Sequence, residues 1–249
     1  MKMDRGKNAG SQYLYKGAKP MKCYQVGGFV RDKLMGLPSK DLDYAVEAPD
    51  FDTMVEWVRS ITDEIFLLQP QFWTVRARKG KGVFDYVLCR CDGQYGDGRR
   101  PNSVFVGTLF DDLARRDFTV NAIAFDEEKN EYIDPHNGVQ DIKDKVLRCV
   151  GNAHNRFHED ALRMLRAIRF CVTKGFKMHR DVRELLHDRM LTDRLMMNVS
   201  EERKREELHK CFAHNTSLTL AYLSDFEMLR DACFYGDGKL WLMPTMREV

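Results

Sequence analysis

The sequence contains no apolar run approaching the roughly 20 residues that a membrane-spanning helix requires. The basic residues near its start are not followed by the apolar core of a signal peptide. The formal net charge is +2 over 249 residues, so the bulk charge does not by itself indicate a nucleic-acid partner. These features predict a globular protein without a membrane span, containing one large or two modest domains.

Cysteine motifs are scarce as well. The seven cysteines are an odd number and include no Cys-x-x-Cys pair. We therefore expect reduced thiols and a cytoplasmic location.

The most informative feature that is present is a pair of aspartates, Asp41 and Asp43. They alternate with apolar residues over 41–46, so both carboxylates are expected on one face of a strand. Two like charges so close repel each other unless a cation lies between them. Mg²⁺ favours one or two carboxylates together with substrate phosphates, and Gly27-Gly28 upstream lets phosphates approach the backbone. The combination predicts metal-assisted transfer of a nucleotide.

Strands are predicted over 65–68, 72–78 and 83–91. Asp85 is a candidate third carboxylate on the last of these, where it alternates with Phe84 and Tyr86. On a neighbouring strand it could bind or orient a metal, or help deprotonate an attacking hydroxyl. The alternative is an aspartate that simply faces solvent.

A second cluster runs from Arg115 to Ala122. Arg115 and Arg116 can clamp phosphates, while Asp117 and Asn121 can hydrogen-bond ribose hydroxyls. The alternative is an ordinary charged end of a helix.

A third cluster lies on a predicted helix, whose apolar stripe comprises Ala161, Leu165, Ile168 and Val172. Asp160 and Arg163 are three residues apart, so we expect them to be neighbours on its surface. Their acceptors and donors could read a base edge with protein in place of a nucleic-acid template, and Arg166 and Arg169 could meet phosphate. The alternative is a surface salt bridge. A fourth segment, 200–210, is predicted to be a structural helix that buttresses the helix carrying Arg163, Arg166 and Arg169. Pairs such as Arg203 and Glu207 are expected along it.

These clusters, in this order, resemble the class II tRNA nucleotidyltransferase and bacterial poly(A) polymerase family. This is the CCA-adding branch of the DNA-polymerase-beta-like superfamily, and the resemblance covers roughly residues 23–210. It implies an α+β fold, in which a mixed-sheet nucleotidyltransferase head precedes a helical neck and a shortened helical body. The corresponding boundaries are a flexible basic lead at 1–20, the head at 21–150, the neck at 151–212 and a partial body at 213–249.

The resemblance also implies a reaction, in which an RNA 3′-hydroxyl attacks the α-phosphate of CTP or ATP and pyrophosphate is released. Asp41 and Asp43 would hold two Mg²⁺ ions, with Asp85 as a further catalytic carboxylate. The remaining positions would bind the nucleotide: Gly27, Gly28, Arg31, Arg116, Asp117, Asn121, Asp160, Arg163, Arg166 and Arg169.

Several alternatives stay open within and outside this family. The loop from Asp92 through Pro101 favours complete CCA addition to tRNA, but CC-only addition, A-only addition and poly(A) synthesis share the same catalytic clusters. A non-catalytic RNA-binding remnant is disfavoured because the candidate site residues are intact. Family members usually carry a longer helical tail that grips tRNA, and a homo-oligomer could supply such a surface.

Overall fold

The computed structural model describes residues 21–39, 42–93 and 103–234. The predicted lead at 1–20, most of the predicted loop and the end of the predicted body lie outside these ranges, and so does Asp41. In the described parts of the chain, no helix is both long and apolar enough to cross a bilayer.

A mixed sheet of seven strands forms the first half of the molecule. Its strands are β1 (Lys22–Val26), β2 (Leu42–Glu47), β3 (Glu64–Gln69), β4 (Thr74–Lys79), β5 (Gly82–Leu88), β8 (Ala124–Asp126) and β9 (Glu131–Ile133). Their order across the sheet is β3-β4-β5-β2-β1-β8-β9. The neighbours β2 and β5 are parallel, and the other neighbours are antiparallel. Two small sheets pair β6 (Arg90–Asp92) with β7 (Val104–Val106) and β10 (Val146–Leu147) with β11 (Lys177–Met178).

Four helices occur within the sheet-forming half, and seven more form the second half of the described chain. Those associated with the sheet are α1 (Gly28–Leu34), α2 (Phe51–Ile61), α3 (Leu109–Ala114) and α4 (Gly138–Asp144). The later ones are α5 (Ala153–Glu159), α6 (Arg163–Lys174), α7 (Arg180–Leu185), α8 (Arg189–Asn198), α9 (Glu201–His214), α10 (Thr216–Asp225) and α11 (Glu227–Phe234). This is the predicted α+β architecture, a mixed sheet followed by helices.

Helix α6 joins the two halves. Its predicted apolar stripe is confirmed, since Leu165, Ile168 and Val172 are all buried. Phe170 packs edge-on against Phe118 of the sheet half, with 5.6 Å between the ring centroids. Such burial contributes most of the stability of a helix in a protein. The helix is therefore fixed against the sheet half, and its arginines project from a rigid support.

Two strands differ from their predicted extents. The strand expected over 72–78 begins at Thr74, because residues 70–72 form a 3₁₀ turn and Trp73 adopts a left-handed conformation with φ 54°. The strand expected over 83–91 ends at Leu88, and the chain then moves into the hairpin of β6 and β7.

The predicted helix across Asp160 and Arg163 is wrong. Helix α5 ends at Glu159, Asp160 is extended with φ −149° and ψ 103°, and α6 begins only at Arg163. The Asp160 carboxylate accepts a hydrogen bond from the backbone N–H of Leu162 at 3.1 Å. Aspartate commonly competes with helix formation in this way, so the two residues stand at a break between helices and are not neighbours along one.

Candidate active site

A cleft of about 510 Å³ opens between the sheet and helices α6 and α9. Its lining residues are Gly27, Gly28, Arg31, Asp43, Arg115, Arg116, Asp117, Asn121, Asp160, Arg163, Arg166, Arg169, Phe170 and Arg203. Every predicted nucleotide-binding residue is in this set, together with Asp43. Residues distant in sequence therefore meet in one concave site.

The charge of this cleft suits a polyanion. Seven arginines line it against three aspartates. A neighbouring cleft of about 620 Å³ balances three arginines with three carboxylates and contains, apart from the shared Arg115, none of the predicted site residues. Because guanidinium groups bind phosphate through paired hydrogen bonds, the arginine-rich cleft is the candidate site for a nucleoside triphosphate.

Gly27 sets the floor of the cleft at the junction of β1 and α1. Its backbone has φ 72° and ψ −137°, a conformation that favours glycine. A side-chain carbon at this position would lie 3.2 Å from Nη1 of Arg116 and 3.6 Å from Oδ2 of Asp43. The missing side chain therefore avoids a close contact with Arg116 and leaves the backbone accessible between a guanidinium and a carboxylate.

Asp43 and Asp85 lie in register on the parallel strands β2 and β5. Residues paired in this way point to the same side of a sheet, so the prediction that Asp85 stands on a neighbouring strand agrees with the structure. Asp85 does not line the cleft, however. Arg76 on β4 holds its carboxylate through two hydrogen bonds of 2.6 Å each. The side chain is thus an ion-paired neighbour of Asp43.

The oxygen ligands present fit a hard divalent cation. Asp43 offers a carboxylate beside Gly27, and Mg²⁺ characteristically takes one or two carboxylates and completes its shell with phosphate oxygens and water. Among the described residues no group of three or more His, Cys, Asp or Glu side chains could hold a metal, and Asp41 lies outside those residues.

A chain of hydrogen bonds crosses the back of the cleft. Arg31 donates through Nη1 to Oδ1 of Asn121 at 2.5 Å, and the Asn121 amide donates to Oδ1 of Asp117 at 2.9 Å. Nε and Nη2 of Arg166 donate to the other oxygen of Asp117 at 2.9 and 2.5 Å. The sheet half and helix α6 are connected through these four side chains.

Burial alone would raise the pKa of Asp117. The guanidinium of Arg166 and the hydrogen bond from Asn121 outweigh burial and hold that pKa well below its ordinary value. Conversely, the pKa of Arg166 is raised, because Asp117 and Glu207 favour its charged form more than burial opposes it. Both groups are therefore charged at neutral pH. Asp117 already has three partners within the protein: Asn121, Arg166 and the backbone N–H of Phe118 at 2.8 Å.

Asp112 fixes the two adjacent arginines, and sequence reasoning missed it. Arg115 and Arg116 donate to its two oxygens at 2.5 and 2.9 Å, and its side chain is 2 % exposed. Burial disfavours the Asp112 anion, but the guanidiniums of Arg116 and Arg115 outweigh it and lower the pKa. The spacing of Asp112 three and four residues before the arginines is a helix-pairing signal that could have identified it.

Arg163 does not pair with Asp160. Its Nη1 atom donates to Oε2 of Glu159 at 2.8 Å and to the carbonyl oxygen of Arg156 at 2.5 Å. Its Nη2 atom lies 3.3 Å from the carbonyl oxygen of Arg115. The alternative of a salt bridge between Asp160 and Arg163 is therefore wrong, although both side chains line the cleft.

Helix α9 supports α6, as predicted, because Glu207 pairs with Arg166 and Arg169. It also places Arg203 in the lining of the cleft, which its prediction as a structural helix did not anticipate. Arg203 donates to Oδ2 of Asp160 at 2.8 Å, and its buried Nη1 atom has no hydrogen-bond partner among the described residues. The pairing of Arg203 with Glu207 expected along the helix is therefore wrong, because Arg203 pairs with Asp160 and Glu207 pairs with arginines of α6.

Phe170 is the remaining lining residue that was not predicted as a site. The guanidinium carbon atoms of Arg31 and Arg169 lie 5.1 and 4.3 Å from its ring centroid. Such contacts favour a fixed guanidinium orientation. In the sequence Phe170 is indistinguishable from a core residue of an amphipathic helix.

The family model for the poly A polymerase head domain matches residues 23–148. This chain belongs to that family. A CCA-adding enzyme of Oceanobacillus iheyensis is 36% identical over 227 residues, covering 90% of this chain and 54% of the relative. This chain therefore spans about half the length of that relative.

Solved structures lead to the same family. The Bacillus stearothermophilus CCA-adding enzyme in complex with CTP matches with a TM-score of 0.71 and 32% identity, over 86% of this chain and 54% of that one. A Thermotoga maritima CCA-adding enzyme complexed with tRNA matches with a TM-score of 0.68 and 27% identity, over 90% and 50%. The mixed sheet and the helices that follow it are thus a fold shared with these enzymes.

Proposed function

We propose that this protein is a template-independent RNA nucleotidyltransferase that adds or repairs the 3′-terminal CCA of tRNA from CTP and ATP. The observation that carries the proposal is the single cleft in which Asp43, the glycine pair and the arginines of α6 meet. Relatives named as CCA-adding enzymes, one of them solved with CTP and one with tRNA, favour CCA addition over poly(A) synthesis.

Asp41 and Asp43 are the residues that we propose to hold Mg²⁺, as two ions. When bound, such ions neutralise phosphate charge and lower the barrier to displacement at phosphorus. Gly27, Gly28 and Arg31 would lie against the triphosphate, and Arg116 would donate to its oxygens. This arrangement agrees with the accessible backbone of Gly27 between Arg116 and Asp43.

In the proposed reaction the RNA 3′-oxygen bonds to the α-phosphorus as the bond to the β-phosphate oxygen breaks. Pyrophosphate leaves, and the hydroxyl proton passes to a nearby carboxylate or to water. Asp85 stands beside Asp43 in register, and we propose it as the third carboxylate, acting on the approaching hydroxyl while Arg76 orients it.

Base selection is proposed for Asp160 and Arg163, with Arg166 and Arg169 supporting the phosphates. Asp160 offers acceptors and Arg163 offers donors, which is what a Watson–Crick edge requires. Asp117 and Asn121 would steady the nucleotide through the hydrogen-bond chain at the back of the cleft.

The domain boundaries also remain proposals: a head at 21–150, a neck at 151–212 and the beginning of a body at 213–249. The buried thiols agree with a reducing, cytoplasmic location. For example, burial raises the pKa of Cys171 to about 12, which keeps this thiol protonated.

The decisive experiment is extension of a labelled tRNA that lacks its CCA end, with Mg²⁺ and CTP, ATP or both. We expect two residues to be added with CTP and a third only when ATP is also present. Long adenylate tails made from ATP alone, on any RNA, would instead assign poly(A) polymerase activity. Extension that stops at CC in the presence of both nucleotides would assign a partial enzyme.

A further inference from the structure

A straight row of residues crosses the sheet from the cleft to the edge formed by β3. Asp43 pairs with Asp85, Asp85 pairs with Arg76, and Arg76 pairs with Leu67 of the edge strand β3. Directly opposed residues point to the same side of a sheet. At about 4.8 Å between strands, the row is roughly 14 Å long.

Among the described residues, a helix covers one end of the side of the sheet that carries this row, and none covers the other end. Leu109 and Leu113 of α3 pack over Tyr24 and Ala45, which lie on β1 and β2. Over β3, β4 and β5, helix α2 packs on the opposite side of the sheet.

Four side chains in this open region define a surface that we call the open face: Phe66, Arg76, Arg78 and Val83. Arg76 and Arg78 are 46% and 54% exposed, and Phe66 and Val83 are each 45% exposed. Arg78 lies 5.8 Å from the centroid of the Phe66 ring and 3.5 Å from Glu64. Guanidinium groups beside an exposed aromatic ring are typical of single-stranded nucleic-acid sites, where cations meet phosphates and rings stack on bases.

The direction of the proposed reaction selects the occupant of this face. The attacking hydroxyl must approach the α-phosphorus opposite the leaving pyrophosphate. If the triphosphate lies against Gly27 and Arg116, the side of the α-phosphorus that faces away from the pyrophosphate is directed towards Asp85 in the row. An RNA strand arriving there would continue over Arg76 towards the edge of the sheet.

We infer that the last nucleotides of the RNA lie on the open face, with the 3′-hydroxyl at Asp43. Arg78 contacts an RNA phosphate, and Phe66 stacks on a base. This inference rests on the proposed function for the direction of approach, and on the charge and exposure of these side chains for the surface itself. A second copy of the chain, pairing along β3, is the competing occupant.

The test measures binding of a 5′-labelled tRNA minihelix ending before CCA by fluorescence anisotropy, for wild type, Arg78→Gln and Phe66→Ser. We expect each substitution to raise the Kd at least about fivefold. Arg78→Gln should also reduce the slope of log Kd against log salt by about 0.7. The KM for CTP at saturating RNA should not change.

Arg59→Gln is the matched control, since Arg59 is exposed on α2, the helix that packs on the other side of the sheet. It should bind the RNA as wild type does. The inference is overturned if both open-face variants bind like the control, or if the wild type binds no RNA. It is also overturned if the wild type is a dimer that Phe66→Ser dissociates.

Failure of the proposed function would look different. Extension of the same RNA by the wild type is measured in parallel. If the wild type extends RNA while the open-face variants bind normally, the surface is wrong and the function stands. If those variants lose RNA binding but no nucleotide is ever added, the surface stands and the proposed reaction does not.

Discussion

Arg203 donates a hydrogen bond from Nη2 to Oδ2 of Asp160 over 2.8 Å, although the residues are 43 positions apart. The backbone N–H of Leu162 occupies the other oxygen, at 3.1 Å. Both oxygens of the carboxylate proposed to face the base are therefore oriented by the protein. Arg203 is a positioning residue for Asp160, acting from a different helix.

Arg203→Met should damage base selection more than turnover. It keeps a long side chain but removes the charged partner of Asp160, and a hydrogen bond of this kind contributes about 1.5–3 kcal/mol. We expect the preference for CTP over UTP to fall about tenfold, with a higher KM for CTP and little change in kcat. Steady-state incorporation of each nucleotide into the tRNA measures this effect.

Arg203→Lys should restore part of the discrimination, because it retains the positive charge. Lys210→Met, on the exposed surface of the same helix, is the matched control and should discriminate as wild type does. Unchanged discrimination in Arg203→Met would show that Asp160 does not need this partner.

Asp43→Asn should abolish chemistry while leaving the fold intact. The amide keeps the size of the side chain but removes the charge that a divalent cation requires. We expect single-turnover extension with CTP to slow by at least about 100-fold. Asp52→Asn, exposed on α2, should extend at the wild-type rate. A tenth or more of wild-type activity in Asp43→Asn would remove Asp43 from the proposed metal site.

Substitutions of Asp85 and of Arg76 should have opposite effects on Mg²⁺ binding, because the two residues form one ion pair beside Asp43. Asp85→Asn removes a negative charge and leaves Arg76, so the half-saturating Mg²⁺ concentration should rise several-fold. Arg76→Gln removes the positive charge and should lower that concentration. Mg²⁺ titrations of extension at saturating RNA give both values. Shifts in the same direction, or none, would exclude an electrostatic role for Asp85 at the metal site.

Much of the site could be predicted from the sequence because its signals are local. The alternation around Asp43 depends on strand geometry alone, and the strand is present as β2. The stripe of Leu165, Ile168 and Val172 depends on helix periodicity alone, and all three residues are buried. The glycine pair marks a backbone conformation, and Gly27 adopts a positive φ.

The features that were missed depend on partners far away in the chain. At Asp160 the helix breaks because the carboxylate accepts a hydrogen bond from the backbone instead. Arg203, which also binds this carboxylate, lies on another helix. Glu207 was expected to pair along α9, but tertiary packing puts it against Arg169. Helix periodicity predicts which face is apolar, and it carries no information about which charged residue a polar one will meet.

Asp117→Asn should destabilise the fold in a pH-dependent way. The folded pKa of Asp117 is depressed, so the ion pair with Arg166 contributes fully above the unfolded-state pKa of about 3.9. Below that pH the unfolded chain takes up a proton that the folded protein does not, and the contribution decreases. At pH 7 we expect the variant to lose roughly 3–5 kcal/mol, as when one partner of a buried pair is removed.

Urea unfolding at pH 7, 5 and 3.5 measures the free-energy difference between wild type and Asp117→Asn. The difference should be similar at the two higher pH values and smaller at pH 3.5, since acid removes the advantage of the wild type. Asp193→Asn, exposed on α8, should stay within about 0.5 kcal/mol of wild type throughout. A difference for Asp117→Asn as large at pH 3.5 as at pH 7 would mean that the ion pair with Arg166 is not its source.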